Sequence, residues 1–178
     1  MNDRIERLLI NYVNTKRSWD AWYYMSWTPM NTETLRPDYD KSPKKLVDQN
    51  DLLTYLRYLA WKDFHIELYK IIKDSKNTED NIFRLLKEHR ETHPQKQQDV
   101  DKNLAEFEAL KSDIKNITDR RDKFYAHLDK DYSSYGGIGG IDPYQNIFNA
   151  VERAVVTLTS QEKIDKLKDY QPLYFFAF

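Results

Sequence analysis

Apolar residues recur at every third or fourth position along most of the chain, the spacing of helices that each bury one face. Ile5, Leu8, Leu9, Tyr12, Val13, Trp19, Trp22, Tyr23 and Ser26 trace such a stripe and predict a first helix that closes near Trp27, Thr28 and Pro29. Prolines at 29, 37 and 43 then punctuate a stretch without periodicity, read as a long surface connection over residues 29–47. A second helix is expected to begin between Asp48 and Asp51 and to run through Leu52, Leu56, Leu59, Trp61, Ile66 and Ile71. Its apolar arc is wide, which predicts the most buried element of the fold. Asn77 is a good N-cap with Asp80 three residues on, so a third helix is expected from there, carrying Ile82, Leu85 and Leu86 and stopping at Pro94. Val100, Leu104, Phe107, Leu110, Ile114, Ile117, Phe124 and Leu128 form the longest stripe and predict one continuous helix of about 43 Å. The four glycines fall together in a loop over residues 133–141. Asp142 and Pro143 then open a last helix as cap and first residue, with Ile147, Val151, Val155 and Leu158 on its apolar face and a short continuation from Ser160 to about Tyr170. The expected fold is all-α, an up-and-down bundle of four to five main helices in a single domain over residues 1–178, with an apolar tail at 171–178.

Composition narrows the function classes. The 178 residues hold 28 Lys+Arg against 29 Asp+Glu, a net charge of −1, which argues against binding nucleic acid by bulk electrostatics. No cysteine is present, which excludes disulfide scaffolds, thiolate metal sites and thiol nucleophiles. The N-terminus lacks the pattern of a secretory signal, and the longest apolar run, residues 173–178, is far too short to span a bilayer. A cytoplasmic protein with no membrane partner is the expectation.

One position breaks the long stripe. Between Ile117 and Phe124 the period asks for an apolar residue and finds Arg121. A guanidinium turned into a helical seam needs a carboxylate, a bound anion or a neighbouring subunit. Asp122 follows it, and His127, whose side chain titrates near neutral pH, lies six residues on. The run Arg121, Asp122, Lys123, Phe124, Tyr125, Ala126, His127, closing at Asp129, resembles the signature of HEPN domains and is most similar to the AbiU-type abortive-infection subgroup. A Trp-containing second helix and an Asn-headed third helix with Ile82, Phe83, Arg84, Leu85 and Leu86 agree with that resemblance, which covers about residues 5–160.

The resemblance implies a HEPN-like fold and a metal-independent endoribonuclease of the toxin or phage-defence kind, without cofactor. It would work as a homodimer whose two motif helices line a shared cleft, with RNA as substrate and an antitoxin protein as a candidate partner. Arg121, His127 and Asp122 would be the catalytic residues. His127 would move the proton of the RNA 2′-hydroxyl, Arg121 would hold the phosphate, and Asp122 would orient one of the two. Arg120, Lys123 and Asp129 would bind RNA or support the site. On an ideal helix His127 lies about 120° from Arg121 and nearly in line with Arg120, so which arginine meets the phosphate stays open. So does the alternative of a catalytically inactive HEPN-type module that dimerises or binds a partner protein or nucleotide.

Other candidates read as structural. His89 and His93 have metal-ligand spacing but no evident third ligand, so no metal site is expected. Trp19, Trp22 and Tyr23 follow the core stripe, whereas Tyr24 and Trp27 are expected at the surface. The glycine-rich run lacks the Gly-Lys-Ser/Thr ending of a phosphate-binding loop and reads as a connector.

Overall fold

The computed structural model describes residues 2–28, 30–31, 36–74, 81–122, 141–160 and 162–164. The architecture is all-α, as the periodicity predicts. Its main helices among the described residues are α1 (Asn2–Ser26), α2 (Pro43–Asp48), α3 (Asp51–Ile72), α4 (Ile82–Thr92), α5 (Gln97–Ala109), α6 (Lys111–Arg120) and α7 (Asp142–Leu158). The chain divides into two compact units, residues 1–13 with 66–178, and residues 14–65.

In the first unit the core is built on α7. Tyr144, Ile147, Phe148, Val151, Ala154, Val155 and Leu158 recur at helical spacing and are all buried. They meet Val100 and Phe107 of α5 and Ile82, Leu85 and Leu86 of α4, each almost fully excluded from water. Each such aliphatic side chain contributes about 1.5–3 kcal/mol. Tyr12 of α1 stacks on Phe148 with ring centroids 5.6 Å apart. The buried Asn103 amide is satisfied twice, donating to the Asp99 carbonyl and to Thr157 Oγ1 at 2.8 Å, which ties α5 to α7.

The second unit is organised around aromatic rings. Phe64 is fully buried against Trp19, with ring centroids 4.9 Å apart, and Trp22 lies 4.3 Å from Trp61. Ser18 donates to Asp63 across the same helix pair. The stretch over residues 29–47 carries short elements of its own, an antiparallel ladder pairing Met30–Asn31 (β1) with Arg36–Pro37 (β2), a 3₁₀ turn at Tyr39–Lys41, and α2. Asn50 caps α3, its Oδ1 accepting from the Leu53 amide at 3.0 Å. Asp48 receives hydrogen bonds from Lys44, Arg57 and Tyr39, which hold its pKa down at about 2.

Several expectations are corrected. The long helix is broken at Leu110, whose φ of −92° and ψ of 6° end α5 and begin α6. No Gly or Pro marks the break, and the apolar stripe continues across it, so periodicity alone cannot reveal it. The cap of α4 is Asn81, not Asn77; its side chain accepts from the Arg84 amide at 2.9 Å, and Asn77 lies outside the described residues. Before α7, Ile141 occupies the cap position, and Asp142 is already helical. The first half of α3 is not buried, for Leu52, Tyr55, Leu56 and Tyr58 are exposed. A wide apolar arc buries only the sector that meets another element, and α7 is the more buried helix. Tyr23 is exposed with Tyr24 and Trp27, because it lies at the edge of the stripe that Trp19 centres.

Candidate functional site

The site forms where the end of α6 meets the C-terminal end of α3. At residues 121–122 the backbone widens from α- to π-helical winding, a distortion found often at functional positions. Residues 123–140 lie outside the described residues, and with them Lys123, His127, Asp129 and the glycine-rich loop. The apolar tail at 171–178 does too.

The two arginines point to different helices. Arg121 lays its guanidinium over the ring of Tyr69 on α3, with the guanidinium carbon 4.2 Å from the ring centroid. Its Nη1 donates to Asp122 Oδ1 at 3.1 Å, and its Nε is buried without a hydrogen-bond partner among the described residues. The side chain keeps 28% exposure, so it is not closed off from solvent. Arg120 instead turns to α7, where its Nη1 lies 3.4 Å from the hydroxyl of the buried Tyr144. Burial pushes the Tyr144 hydroxyl pKa up, against the opposing pull of Arg120.

Asp122 is the hub of the cluster. Its Oδ2 accepts from Lys73 Nζ at 3.2 Å while Oδ1 accepts from Arg121, and Tyr69 adds a further hydrogen bond. Partial burial alone would push the carboxyl pKa up, but the hydrogen bonds from Tyr69, Lys73 and Arg121 outweigh it and hold the group below the ordinary carboxylate value. Burial likewise lowers the Lys73 pKa, and the Asp122 carboxylate more than restores it, so the ammonium sits above its usual value. At neutral pH the cluster is therefore two cations flanking one carboxylate on an aromatic base. Such a group can hold an anion and keep Arg121 in one orientation. A carboxylate with a depressed pKa is a poor general base, so Asp122 is suited to positioning.

A stability test follows from the same hydrogen bonds. A carboxyl whose folded pKa is depressed stabilises the fold above its unfolded value of 3.8 and loses that contribution as pH falls through the folded pKa. Asp122→Asn is expected to lower the urea midpoint at neutral pH and to flatten the fall in stability toward about pH 3. An unchanged acid limb in the variant would show that Asp122 is not held in this way.

Tyr69 and Lys73 were not singled out from sequence. Tyr69 stands in the last turn of α3 and Lys73 directly follows the helix, about fifty positions before Arg121, and the signal in the sequence is a Tyr and a Lys at i and i+4 at the end of an apolar helix. His89 and His93 stack with ring centroids 4.1 Å apart. Burial lowers the His89 pKa, and His93 and Lys96 add to the effect. Among the described residues no three His, Cys, Asp or Glu side chains are grouped to hold a metal ion. No described helix is long and apolar enough to cross a membrane.

Comparison with known proteins adds one match. The HEPN-type family model described as AbiU2 matches residues 3–138, well over half of the chain, and the matched span includes Arg120, Arg121, Asp122 and His127. No curated protein and no solved structure gives a significant match.

Proposed function

The chain belongs to the AbiU2 family of HEPN-type abortive-infection domains, and from that premise we propose that it is a metal-independent endoribonuclease acting at the cleft of a homodimer. The observation that carries this reading is Arg121, backed by Tyr69, fixed by Asp122 and still partly exposed. A planar guanidinium held in one orientation offers paired donors that match phosphate oxygens, and it is in place before the charge develops.

In this mechanism His127 takes the proton of an RNA 2′-hydroxyl, whose oxygen attacks the adjacent phosphorus. The bond to the 5′-oxygen breaks, that oxygen takes a proton from water, and a 2′,3′-cyclic phosphate and a 5′-hydroxyl remain. Arg121 neutralises the extra negative charge on the phosphorane, and Asp122 with Tyr69 keeps it aimed. Lys123 and Asp129 support the strand and the motif, and Arg120, turned to Tyr144, braces the helix end. Two copies of the arginines meeting across a dimer supply the positive potential that a chain of net charge −1 lacks. The setting is a toxin or phage-defence protein of the cytoplasm, restrained by an antitoxin.

The test is cleavage of a mixed tRNA and single-stranded RNA panel in EDTA. EDTA-resistant cutting that leaves cyclic phosphate ends is expected. The Arg121 contact with Asp122 also favours a second reading, a catalytically silent module that binds a partner protein or nucleotide, because an intrachain carboxylate already occupies part of the fork. A folded dimer that cuts nothing in the panel would move the assignment to that reading.

A further inference from the structure

Beside the cluster lies a groove of about 570 Å³, walled by the end of α3, the first half of α4, the end of α5 and the length of α6. That volume is of the size that accommodates small organic ligands. Two features set its chemistry. Its floor is apolar, with Phe83 half-buried and packed edge-on against the buried Phe107 at 5.0 Å between centroids. Its rim carries four lysines, Lys73, Lys87, Lys111 and Lys115, against three carboxylates, Asp74, Glu108 and Asp119, a local balance of +1 on a chain of −1. Glu108 is paired with Lys111 at 2.8 Å and Asp119 with Lys115 at 2.7 Å, both at exposed positions. Such exposed pairs hold weakly and can open toward a stronger anion.

The groove adjoins the Arg121 site through Lys73. Lys73 lines it and also binds Asp122, and Asp119 stands one turn before Asp122 on the same helix. An aromatic floor under a cationic rim is the combination that holds a nucleotide, with the base against the ring and the phosphate on the ammonium groups. The geometry points to a subsite for one nucleotide of the RNA strand next to the scissile phosphate, with its base on Phe83 and its phosphates between Lys73 and Lys87. This assignment deepens the ribonuclease reading and rests on it for the direction of the strand. It commits to a strand rather than a free nucleotide because Lys73 joins the groove to the place where the phosphate backbone must pass.

The test separates binding from cutting. A fluorescein-labelled single-stranded 2′-O-methyl RNA lacks the nucleophile, so its affinity for the full chain is read by anisotropy whether or not the protein cleaves. Lys87→Glu is expected to weaken binding roughly tenfold and to reduce the slope of log affinity against log salt by about 0.7 for each phosphate that is no longer neutralised. Phe83→Leu keeps an apolar filler against Phe107 and is expected to weaken binding about fivefold or more through loss of stacking. In cleavage of ordinary RNA, both substitutions are expected to raise KM with kcat within about twofold, as loss of uniform binding does.

Unchanged affinity in both variants, with melting curves like the wild type, overturns the subsite even if the protein cuts RNA. AMP binding that Lys87→Glu abolishes, with RNA affinity unmoved, overturns it in favour of a free-nucleotide site. Loss of RNA binding in both variants of a protein that never cuts supports the groove and removes only the ribonuclease reading.

Discussion

Arg121→Ala is expected to lower the rate of RNA cleavage by about 10²–10³-fold, the usual loss when one preorganised donor to a developing oxyanion is removed. The fall should lie in kcat, because the charge that Arg121 meets grows only as the phosphorane forms. Arg121→Lys restores the charge but neither the planar fork nor the stacking on Tyr69, so it should recover little of the activity. Tyr69→Phe keeps the ring beneath the guanidinium and removes the hydrogen bond to Asp122. It is expected to cost far less than Tyr69→Ala, which removes the platform as well. His127→Ala should abolish cutting altogether if that residue moves the proton. Far-UV circular dichroism and sedimentation of each variant establish that folding and assembly survive. Wild-type kcat in a folded Arg121→Ala protein would sink the phosphate-binding role. A loss in Arg120→Ala as deep as in Arg121→Ala would mean that both arginines serve the chemistry, against the division between Tyr69 and Tyr144 seen here.

The residues that sequence could and could not yield differ in a physical way. The stripe of α7 was legible because every residue on it meets the core, so burial and period coincide. Arg121 was legible for the opposite reason, as a charge where that period asks for an apolar side chain. What decides its orientation was not legible. Tyr69 and Lys73 reach it from another helix, and no local pattern announces a partner about fifty positions away. The divergence of Arg120 from Arg121 is of the same kind, since adjacent helical residues point about 100° apart and only the packing of α3 and α7 shows what each one meets. The break at Leu110 escaped because the apolar pattern is blind to a turn that keeps the stripe in phase. The family was legible in the run from Arg121 to Asp129, which lies inside the span that the family model matches.

The largest stability loss is expected at Phe64. Its ring is fully buried, tilted against Trp19, near Trp61 at 5.8 Å and edge-on to His65. Phe64→Ala removes the side chain at the centre of that ring cluster and leaves a cavity that rigid indoles cannot collapse to fill. Losses of about 3–5 kcal/mol are typical of such truncations, and the melting temperature should fall by on the order of 10 °C. Trp19, Trp22 and Trp61, three of the four tryptophans, belong to this cluster, so indole fluorescence reports its packing directly. The emission of the folded variant should shift to the red as water reaches the rings. Tyr55→Ala, on the exposed part of α3, is the matched comparison. Surface truncations of that kind cost within about 0.5 kcal/mol. A variant at Phe64 that melts like the wild type would mean that the aromatic cluster is not what holds residues 14–65 together. Comparable losses at Phe64 and Tyr55 would instead show that the exposed face of α3 is covered in solution.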